Sequence, residues 1–376
     1  MPFEARSVMS QKEEFVRLAL APDANVSALC RRFGIGRTCG HKLLARFRAE
    51  GDGGLAARSR RPRSSPRRSP PELEAAVVSL RKDHPAWGGR KIAGVLARDG
   101  VGGIAPSTVT DILRRNGVEL GLHGGGAQPF IRFEHEAPND LWQMDFKGHV
   151  PLRQGRLHPL TVLDDHSRFS LVLEACADQT TETVKTRLIA AFRRYGLPWR
   201  IATDNGPPWG DGGRNNFTAL GVWLIEIGVS VGHSRPCHPQ TLGKEERFHR
   251  TLKAEALQGP PFESLQQAQH VFDRWRHLYN TRRPHQGIGG AVPFDRYRAS
   301  GRDFCETVAP FEYAVGDNLR KIQQKGATSL FGRAFKICNA FAGKTVAFRP
   351  TEADGVFDAY FRHQKIQTID LNTIRR

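Results

Sequence analysis

The chain has 376 residues, which predicts two to four domains, and its 56 Lys and Arg residues against 38 acids give a formal net charge of +18. This excess favours a polyanionic partner, and we expect no membrane association because no apolar run approaches the length of a membrane span. The six cysteines occur singly, which argues against a C-x-x-C zinc finger and a disulfide framework. Nucleic acid is therefore the expected partner.

Residues 1–56 predict a helix-turn-helix DNA-binding domain. Three short helical patterns lie between residues 11 and 50, and "GIG" at 34–36 forms a tight link between the second and the third. A plain three-helix bundle with solvated cations is the alternative. The third helix would offer five basic side chains to a duplex: Arg37, His41, Lys42, Arg46 and Arg48.

Residues 57–71, "ARSRRPRSSPRRSPP", predict a basic linker, because the prolines prevent a regular helix. The segment contains no acid, so it either lies along DNA phosphates or serves as an inert spacer. The candidate DNA contacts here are Arg58, Arg60, Arg61, Arg63, Arg67 and Arg68.

A second helix-turn-helix domain is expected at 72–122. It has three further helical patterns, and Arg114 and Arg115 lie on the last one as candidate DNA contacts. Thr108, three residues before Asp111, indicates a capping motif at the start of that helix. The segment "GLHGGGAQP" at 121–129 indicates a flexible break, and residues 123–137 predict a linker.

From residue 138 the pattern changes to an α/β domain, expected to end near residue 300. In "LWQMDFKGHV" apolar and polar residues alternate, which predicts a strand with Trp142 and Asp145 on opposite faces. Two more strands follow, and then helices and strands alternate, which indicates a mixed sheet. Residues 301–376 contain short alternating segments that predict a small β-barrel.

Three carboxylates of the α/β region are candidate metal ligands: Asp145 within the first strand, Asp204 at the end of the fourth, and Glu246 in the following helix. Mg²⁺ prefers such hard oxygen ligands, and three carboxylates can hold a metal pair suited to phosphodiester chemistry. Taken singly, Asp204 before Asn-Gly is better explained as a turn former, and Asp145 as a solvated strand residue.

The order Asp, Asp, Glu, together with the motifs around these residues, resembles that of the DDE-type bacterial insertion-sequence transposases and the retroviral integrases. "WQMDFKG", "TDNGPPW" and "HPQTLGKEERFHRTLKAE" are similar to the three acid-bearing motifs, and "YNTRRPHQGIGG" is similar to the segment that closes the core. The resemblance implies a ribonuclease-H-like core whose catalytic metal ligands are Asp145, Asp204 and Glu246. Two departures are the 41 residues between the second and third acids, and Leu242 where the family often has Asn.

The helix that carries Glu246 is expected to pack on the sheet through Phe248 and Leu252, with Glu245 facing solvent. Its basic residues would clamp DNA phosphates near the scissile bond. These candidates are Lys244, Arg247, His249, Arg250 and Lys253. His238, Asp164 and Asp165 are possible accessory groups. The two aspartates are better explained as turn or capping residues, and the histidine as a polar surface residue.

The resemblance implies a DNA transposase that binds the terminal repeats of its element, cleaves the ends and joins the 3′-hydroxyls to target DNA. It also implies two Mg²⁺ ions, replaceable by Mn²⁺, double-stranded DNA as partner, a homo-oligomer on DNA, and a bacterial cytoplasmic protein associated with the nucleoid. Two alternatives stay open at this point. One is a catalytically inactive helix-turn-helix regulator derived from a transposase, and the other is a structure-specific nuclease of the same fold.

Overall fold

The computed structural model describes residues 7–59, 68–118, 134–210, 217–233 and 243–374. The chain divides into two compact units, Met1–Ser69 and Pro70–Arg376. Among the helices described, none combines the length and the apolar character needed to cross a bilayer.

The first unit is a three-helix domain with a short 3₁₀ turn at its end, as the sequence predicts. Its helices are α1 (Val8–Ala19), α2 (Val26–Arg32) and α3 (Arg37–Glu50). Gly34 has a φ of 64° in the link before α3, a conformation that glycine adopts without strain. Gly40 lets α3 approach its neighbours, because a Cβ at this position would lie 2.4 Å from the Cys30 sulfur.

The second unit begins with another three-helix domain, also predicted. Its helices are α4 (Pro71–Asp83), α5 (Gly89–Arg98) and α6 (Pro106–Arg115). The predicted capping motif is wrong, because α6 begins at Pro106 with Ala105 as its N-cap and no side-chain cap hydrogen bond. Proline is favoured at the first helical position, so the helix begins at Pro106 and Thr108 lies within its first turn.

This second helical domain packs directly on the α/β core. Arg98 pairs with Asp295 at 2.6 Å, and Arg282 pairs with Asp99 at 2.7 Å. Leu278 of the core packs against the apolar cluster of the three helices. Two exposed ion pairs and one apolar contact therefore hold the domain against the core.

The core is built on a mixed sheet with the predicted strands and one additional two-residue strand. The strands are β1 (Trp142–Phe146), β2 (Val150–Pro151), β3 (Arg156–Asp164), β4 (Ser170–Cys176), β5 (Arg200–Thr203) and β6 (Ser230–His233). Their order across the sheet is β4, β3, β1, β5, β6, with β2 paired to the start of β3. β1 therefore lies in the middle, antiparallel to β3 and parallel to β5.

Helices cover both faces of this sheet. They are α7 (Thr181–Tyr195), α8 (Ala219–Glu226), α9 (Gly243–Ala256), α10 (Leu265–Thr281) and the short α11 (Pro293–Arg296). On one face, Phe248 and Leu252 of α9 are buried with Trp275 of α10, so the predicted packing face of α9 is confirmed. On the other face, Leu188 and Phe192 of α7 belong to a second large apolar cluster.

The C-terminal region is all β and shares an apolar cluster with the α/β core. Its strands are β7 (Asn318–Lys321), β8 (Ala327–Leu330), β9 (Arg333–Lys336), β10 (Thr345–Pro350), β11 (Val356–Phe361) and β12 (Gln364–Asp370). Within the described residues these strands pair as an open four-stranded sheet, β12-β11-β10-β7, and a separate β8-β9 hairpin. These strand pairings do not close the sheet into the expected barrel.

The edge strand β6 is covered by a side chain from this C-terminal region. The Gln364 amide donates to the Val231 carbonyl, and its oxygen accepts from the Val231 backbone N–H, each at 2.8 Å. One side chain thus satisfies a donor and an acceptor that an open sheet edge would expose. The two regions are held together at this edge.

Candidate active site

The register of the central sheet brings Asp145 and Asp204 to the same level on neighbouring strands. β1 and β5 run parallel, with Gln143 opposite Ala202. Asp145 lies two residues beyond Gln143, and Asp204 lies two residues beyond Ala202, just after β5 ends. Two carboxylates distant in sequence therefore meet at the carboxyl ends of adjacent parallel strands.

The electrostatics of this pair fit a cation site. Burial and then the nearby Asp204 carboxylate raise the pKa of Asp145 to about 7. Burial also raises the pKa of Asp204, while the Gly206 backbone N–H opposes that shift. Each carboxylate accepts one backbone hydrogen bond, from Phe146 at 2.8 Å and from Gly206 at 3.1 Å, which leaves oxygen lone pairs for a ligand.

A divalent ion relieves such repulsion between carboxylates, and hard oxygen donors are the ligands that Mg²⁺ takes. Asp145 retains 28% of its side-chain exposure, and Asp204 is half-buried, so both remain accessible. In the part of the chain that the structure describes, no three acid, His or Cys groups are already gathered as a metal cluster. The donor set nevertheless fits an oxygen-liganded cation at the two aspartates.

The orientation predicted for the two glutamates of α9 is wrong for Glu245. Glu245 is fully buried, whereas Glu246 is exposed. The physical reason is the phase of the helix, because Glu245 precedes Phe248 by three residues and Leu252 by seven, which places it on the face packed against the sheet. The sequence contained this signal, since the same two apolar residues already defined the inner face.

Glu245 is connected to the backbone of Asp145 through the hydroxyl of Thr161 on β3. Thr161 lies opposite Asp145 in the β1–β3 register. Its hydroxyl oxygen is 3.0 Å from Glu245 Oε2, 2.8 Å from His249 Nε2 and 2.9 Å from the Asp145 carbonyl oxygen. Burial and the nearby Asp145 carboxylate raise the pKa of Glu245 well above its usual value. The sequence interpretation did not identify Thr161.

His249 lies inside the site and is not part of the exposed basic face that was expected. Its side chain is only 14% exposed, and its Nδ1 lies 3.9 Å from Asp145 Oδ2. Burial and then the positive Lys147 lower the pKa of His249 to about 4, so the ring is neutral at physiological pH. Glu246 is one helical turn before His249 on α9, and it is exposed.

The start of α9 is fixed by an ion pair between Lys244 and Asp165. Lys244 is 18% exposed and Asp165 is 1% exposed, so the pair is internal and the lysine is occupied. Asp165 also accepts from the Gln143 side chain at 2.8 Å and the His135 backbone at 2.9 Å. These contacts support a structural interpretation of Asp165 and remove Lys244 from the set of surface cations.

Asp164 has a comparable internal role. It accepts from the Asn139 backbone at 2.7 Å, and from the Ser167 backbone and hydroxyl at 2.8 and 2.5 Å. These bonds cap the turn between β3 and β4. Turn capping was the favoured sequence interpretation of this residue.

Three of the predicted cations remain exposed on α9, namely Arg247, Arg250 and Lys253. Burial and then the neighbouring Arg250 and Arg283 lower the pKa of Arg247, so positive charge is concentrated here. Lys253 in turn contributes to lowering the pKa of Lys147. Exposed cations of this kind are the side chains that commonly contact phosphate groups.

The predicted DNA contacts of the helical domains differ in exposure and in their partners. Arg37 and Lys42 are exposed and line an open depression on α3, and Arg114 is exposed and lies 3.5 Å from Asp111. Arg115 instead pairs with Glu74 at 2.8 Å, and Arg46 donates to the Ala56 carbonyl at 2.6 Å. Of the linker arginines, Arg58 pairs with Glu50 and Arg68 is exposed. Predicted contacts outside the described residues are Arg60, Arg61, Arg63, Arg67 and His238.

Known protein families match most of the chain in the same order as its structural regions. Two helix-turn-helix models match residues 11–63 and 39–113, the latter described as a homeodomain-like domain. Two integrase core domain models match 135–239 and 227–293. The C-terminal domain of the IS481 family transposases matches 317–375. These matches support a DDE-type insertion-sequence transposase with an integrase-like core.

Individual proteins of insertion elements align with the chain over different lengths. A protein of insertion element IS476 from Xanthomonas euvesicatoria is 33% identical over 42% of the chain and 43% of its own length. A protein of IS407 from Burkholderia multivorans is 25% identical over 65% of the chain and 86% of its own length. The putative transposase of IS5376 from Geobacillus stearothermophilus is 24% identical over 64% and 61%. The chain thus spans less than half the length of the IS476 protein.

Solved retroviral structures have lower sequence identity to the chain than these proteins do. The HTLV-2 integrase catalytic core domain in complex with magnesium has a TM-score of 0.33 and 14% identity, covering 43% of this chain and 99% of that one. A simian T-cell lymphotropic virus intasome chain has a TM-score of 0.38 and 15% identity, covering 80% and 98%.

Proposed function

We propose that the chain is an active DNA transposase, which binds the terminal repeats of its element, cleaves the element ends and joins the freed 3′-hydroxyls to target DNA. The single observation that carries this proposal is the meeting of Asp145 and Asp204 at adjacent strand ends, with α9 beside them. The family match gives the chain its integrase core and its helix-turn-helix domains.

Asp145, Asp204 and Glu246 are the proposed metal ligands, for two Mg²⁺ ions that Mn²⁺ can replace. The mutual repulsion of the aspartates and the exposure of Glu246 support this set. Magnesium sites keep several positions for water and phosphate, so each ligand must face an accessible site, as Glu246 does and the fully buried Glu245 does not. The bound ions would stabilise the charges on the attacking and leaving oxygens of the phosphodiester.

The residues of the chain would bind and orient the two DNA substrates. Arg247, Arg250 and Lys253 would contact phosphates beside the carboxylates, where they position the scissile bond. The exposed face of α3 with Arg37 and Lys42 would read the terminal repeats. Two DNA ends must be handled together, so we propose a homo-oligomer on DNA.

The test is a joining reaction with both ends of the genetic element, a supercoiled target and Mg²⁺. Wild type would be compared with Glu246→Gln and with Glu245→Gln, which changes the neighbouring glutamate in the same way. We expect covalently joined products from wild type and Glu245→Gln and none from Glu246→Gln. Joining by Glu246→Gln would overturn the assignment of the third ligand.

Cleavage without joining by wild type would instead support a nuclease of this fold. Binding without cleavage in either Mg²⁺ or Mn²⁺ would support a DNA-binding regulator. Filter binding of terminal-repeat DNA by the same preparations supplies the control, since all three proteins should bind it equally. Cleavage without joining, or binding without cleavage, would overturn the proposed transposase activity.

A further inference from the structure

The buried carboxyl of Glu245 is not accounted for by its contribution to stability. Its Oε1 atom is buried and has no hydrogen-bond partner among the residues that the structure describes. A buried polar atom without a partner costs about 1–3 kcal/mol of stability relative to a satisfied one. An apolar side chain would fill this position beside Phe248 and Leu252 without that cost. The retained carboxyl therefore requires a different explanation.

The contacts of Glu245 converge on the part of β1 that carries Asp145. Glu245 and His249, one turn apart on α9, both lie within hydrogen-bond distance of the Thr161 hydroxyl. Thr161 in turn bonds to the backbone carbonyl of Asp145. A short network thus connects the inner face of α9 to the strand position of one aspartate, and α9 also carries the exposed Glu246.

The hydroxyl of Thr161 lies within donor distance of two acceptors, Glu245 Oε2 at 3.0 Å and the Asp145 carbonyl oxygen at 2.9 Å. The Thr161 oxygen also lies 2.8 Å from His249 Nε2, which donates to it when that nitrogen carries the ring proton. A glutamine at position 245 would keep a side-chain oxygen for the contact with Thr161, whereas valine would not.

We propose that Glu245 is a positioning residue of the metal site, which acts through Thr161 and His249 to hold Asp145 and α9 in the geometry that binds the divalent cation. It does not itself contact the cation or DNA. This inference rests on the proposed function, because it takes Asp145, Asp204 and Glu246 as the ligands. The supporting shell of a metal site commonly accounts for a 10- to 100-fold difference in affinity.

The experiment compares Mn²⁺ binding and thermal unfolding in the full-length wild type, Glu245→Val and Glu245→Gln. Mn²⁺ binding would be followed by the paramagnetic resonance of the free ion, which needs no DNA and no turnover. We expect Glu245→Val to unfold at the same or a higher temperature than wild type, while its Mn²⁺ affinity falls about tenfold. We expect Glu245→Gln to retain an affinity within about twofold of wild type, because glutamine keeps a side-chain oxygen that accepts from Thr161.

Glu255→Gln is the matched control, since this residue is also a buried glutamate of α9. Its carboxylate bonds to Arg283 and Trp275, away from the aspartates. We expect this substitution to lower the unfolding temperature and leave the Mn²⁺ affinity unchanged. A fall in affinity equal to that of Glu245→Val would mean that the effect is general to α9, and would overturn the inference.

The other outcomes separate this inference from the function on which it rests. If wild type binds Mn²⁺ and Glu245→Val binds it equally well, Glu245 has no positioning role. If Glu245→Gln loses the cation as completely as Asp145→Asn does, Glu245 is itself a ligand and the positioning role is also wrong. Failure of wild type to bind Mn²⁺ at all would overturn the proposed metal site and this inference together.

Discussion

Two pairs of carboxylates in the same sheet, one buried and one half-buried, differ in how their oxygens are satisfied. Asp164 and Asp165, at the end of β3, accept hydrogen bonds from backbone and side-chain donors, and Asp165 also pairs with Lys244. Asp145 and Asp204, at the ends of β1 and β5, each accept one backbone bond and repel each other. The first group stabilises the fold, whereas the second leaves its oxygens available to a cation.

The difference shows that burial alone does not identify a functional acid. Asp164 is more completely buried than Asp145, and burial raises the pKa of both. What separates them is the partner, because Ser167 and Asn139 donate to Asp164. The largest cause that raises the pKa of Asp145 after burial is another carboxylate. A residue left without local compensation is the better functional candidate.

The largest expected effect is on catalysis at the uncompensated pair. Asp145→Asn and Asp204→Asn should each reduce strand joining by about a thousandfold or more, since each removes a negative charge from the metal site. Joined products from a Mg²⁺ reaction measure the loss. Binding of terminal-repeat DNA should remain within about twofold of wild type, because the helical domains are untouched. An Asp204→Asn variant that joins normally would place Asp204 with the structural acids.

The next effect is on stability at the compensated pair. Asp164→Ala should lower the free energy of unfolding by about 3 kcal/mol, because it leaves the donors of Asn139 and Ser167 buried without an acceptor. Urea denaturation of the metal-free protein measures this change. Asp164→Asn, which keeps one acceptor oxygen, should lose less. Equal stability of Asp164→Ala and wild type would contradict the structural role.

A smaller effect of opposite sign is expected at Asp145. In the folded protein this carboxyl keeps its proton up to about pH 7, whereas the unfolded chain loses it near pH 4. The folded state therefore binds more protons between these pH values, and the free energy of unfolding of wild type falls as pH rises through them. Asparagine does not titrate. Without metal, Asp145→Asn should therefore be more stable than wild type by about 1–3 kcal/mol at pH 8.

The gain of Asp145→Asn should disappear toward pH 4, where the wild-type carboxyl is protonated in both states. Parallel urea titrations at pH 5 and pH 8 in a chelator would measure the difference. A variant less stable than wild type at pH 8 would show that the Asp145 carboxylate is compensated after all. Asp204→Asn, made in the same background, tests whether the other member of the pair behaves alike.

The smallest effect is expected for an acid at the surface of the same unit. Asp295 pairs with Arg98 across the contact between the second helical domain and the core, and both side chains are more than one-third exposed. Asp295→Ala should lower the free energy of unfolding by about 0.5 kcal/mol, and by less in high salt. Urea denaturation at two salt concentrations tests this. A loss as large as that of Asp164→Ala would show that the pair carries the docking of the domain.

Much of the fold was predictable from local patterns. The six N-terminal helices, the strand around Asp145 and the packing face of α9 follow from apolar periodicity and turn residues, and the structure confirms them. The start of α6 was mispredicted, because two local signals competed and proline at the first helical position outweighed the expected threonine cap. The open sheet and hairpin at the C-terminus depend on strand pairing, which short alternating segments do not specify.

The sequence by itself determined which residues are candidates for the chemistry and which motifs resemble those of the DDE transposases. Only the tertiary structure decided which charged residues are available. It buried Glu245, occupied Lys244 and Arg115 in internal ion pairs, and directed His249 toward Asp145. The physical reason is that helical spacing gives only relative directions, whereas the partners of a side chain depend on how a helix rests on the sheet.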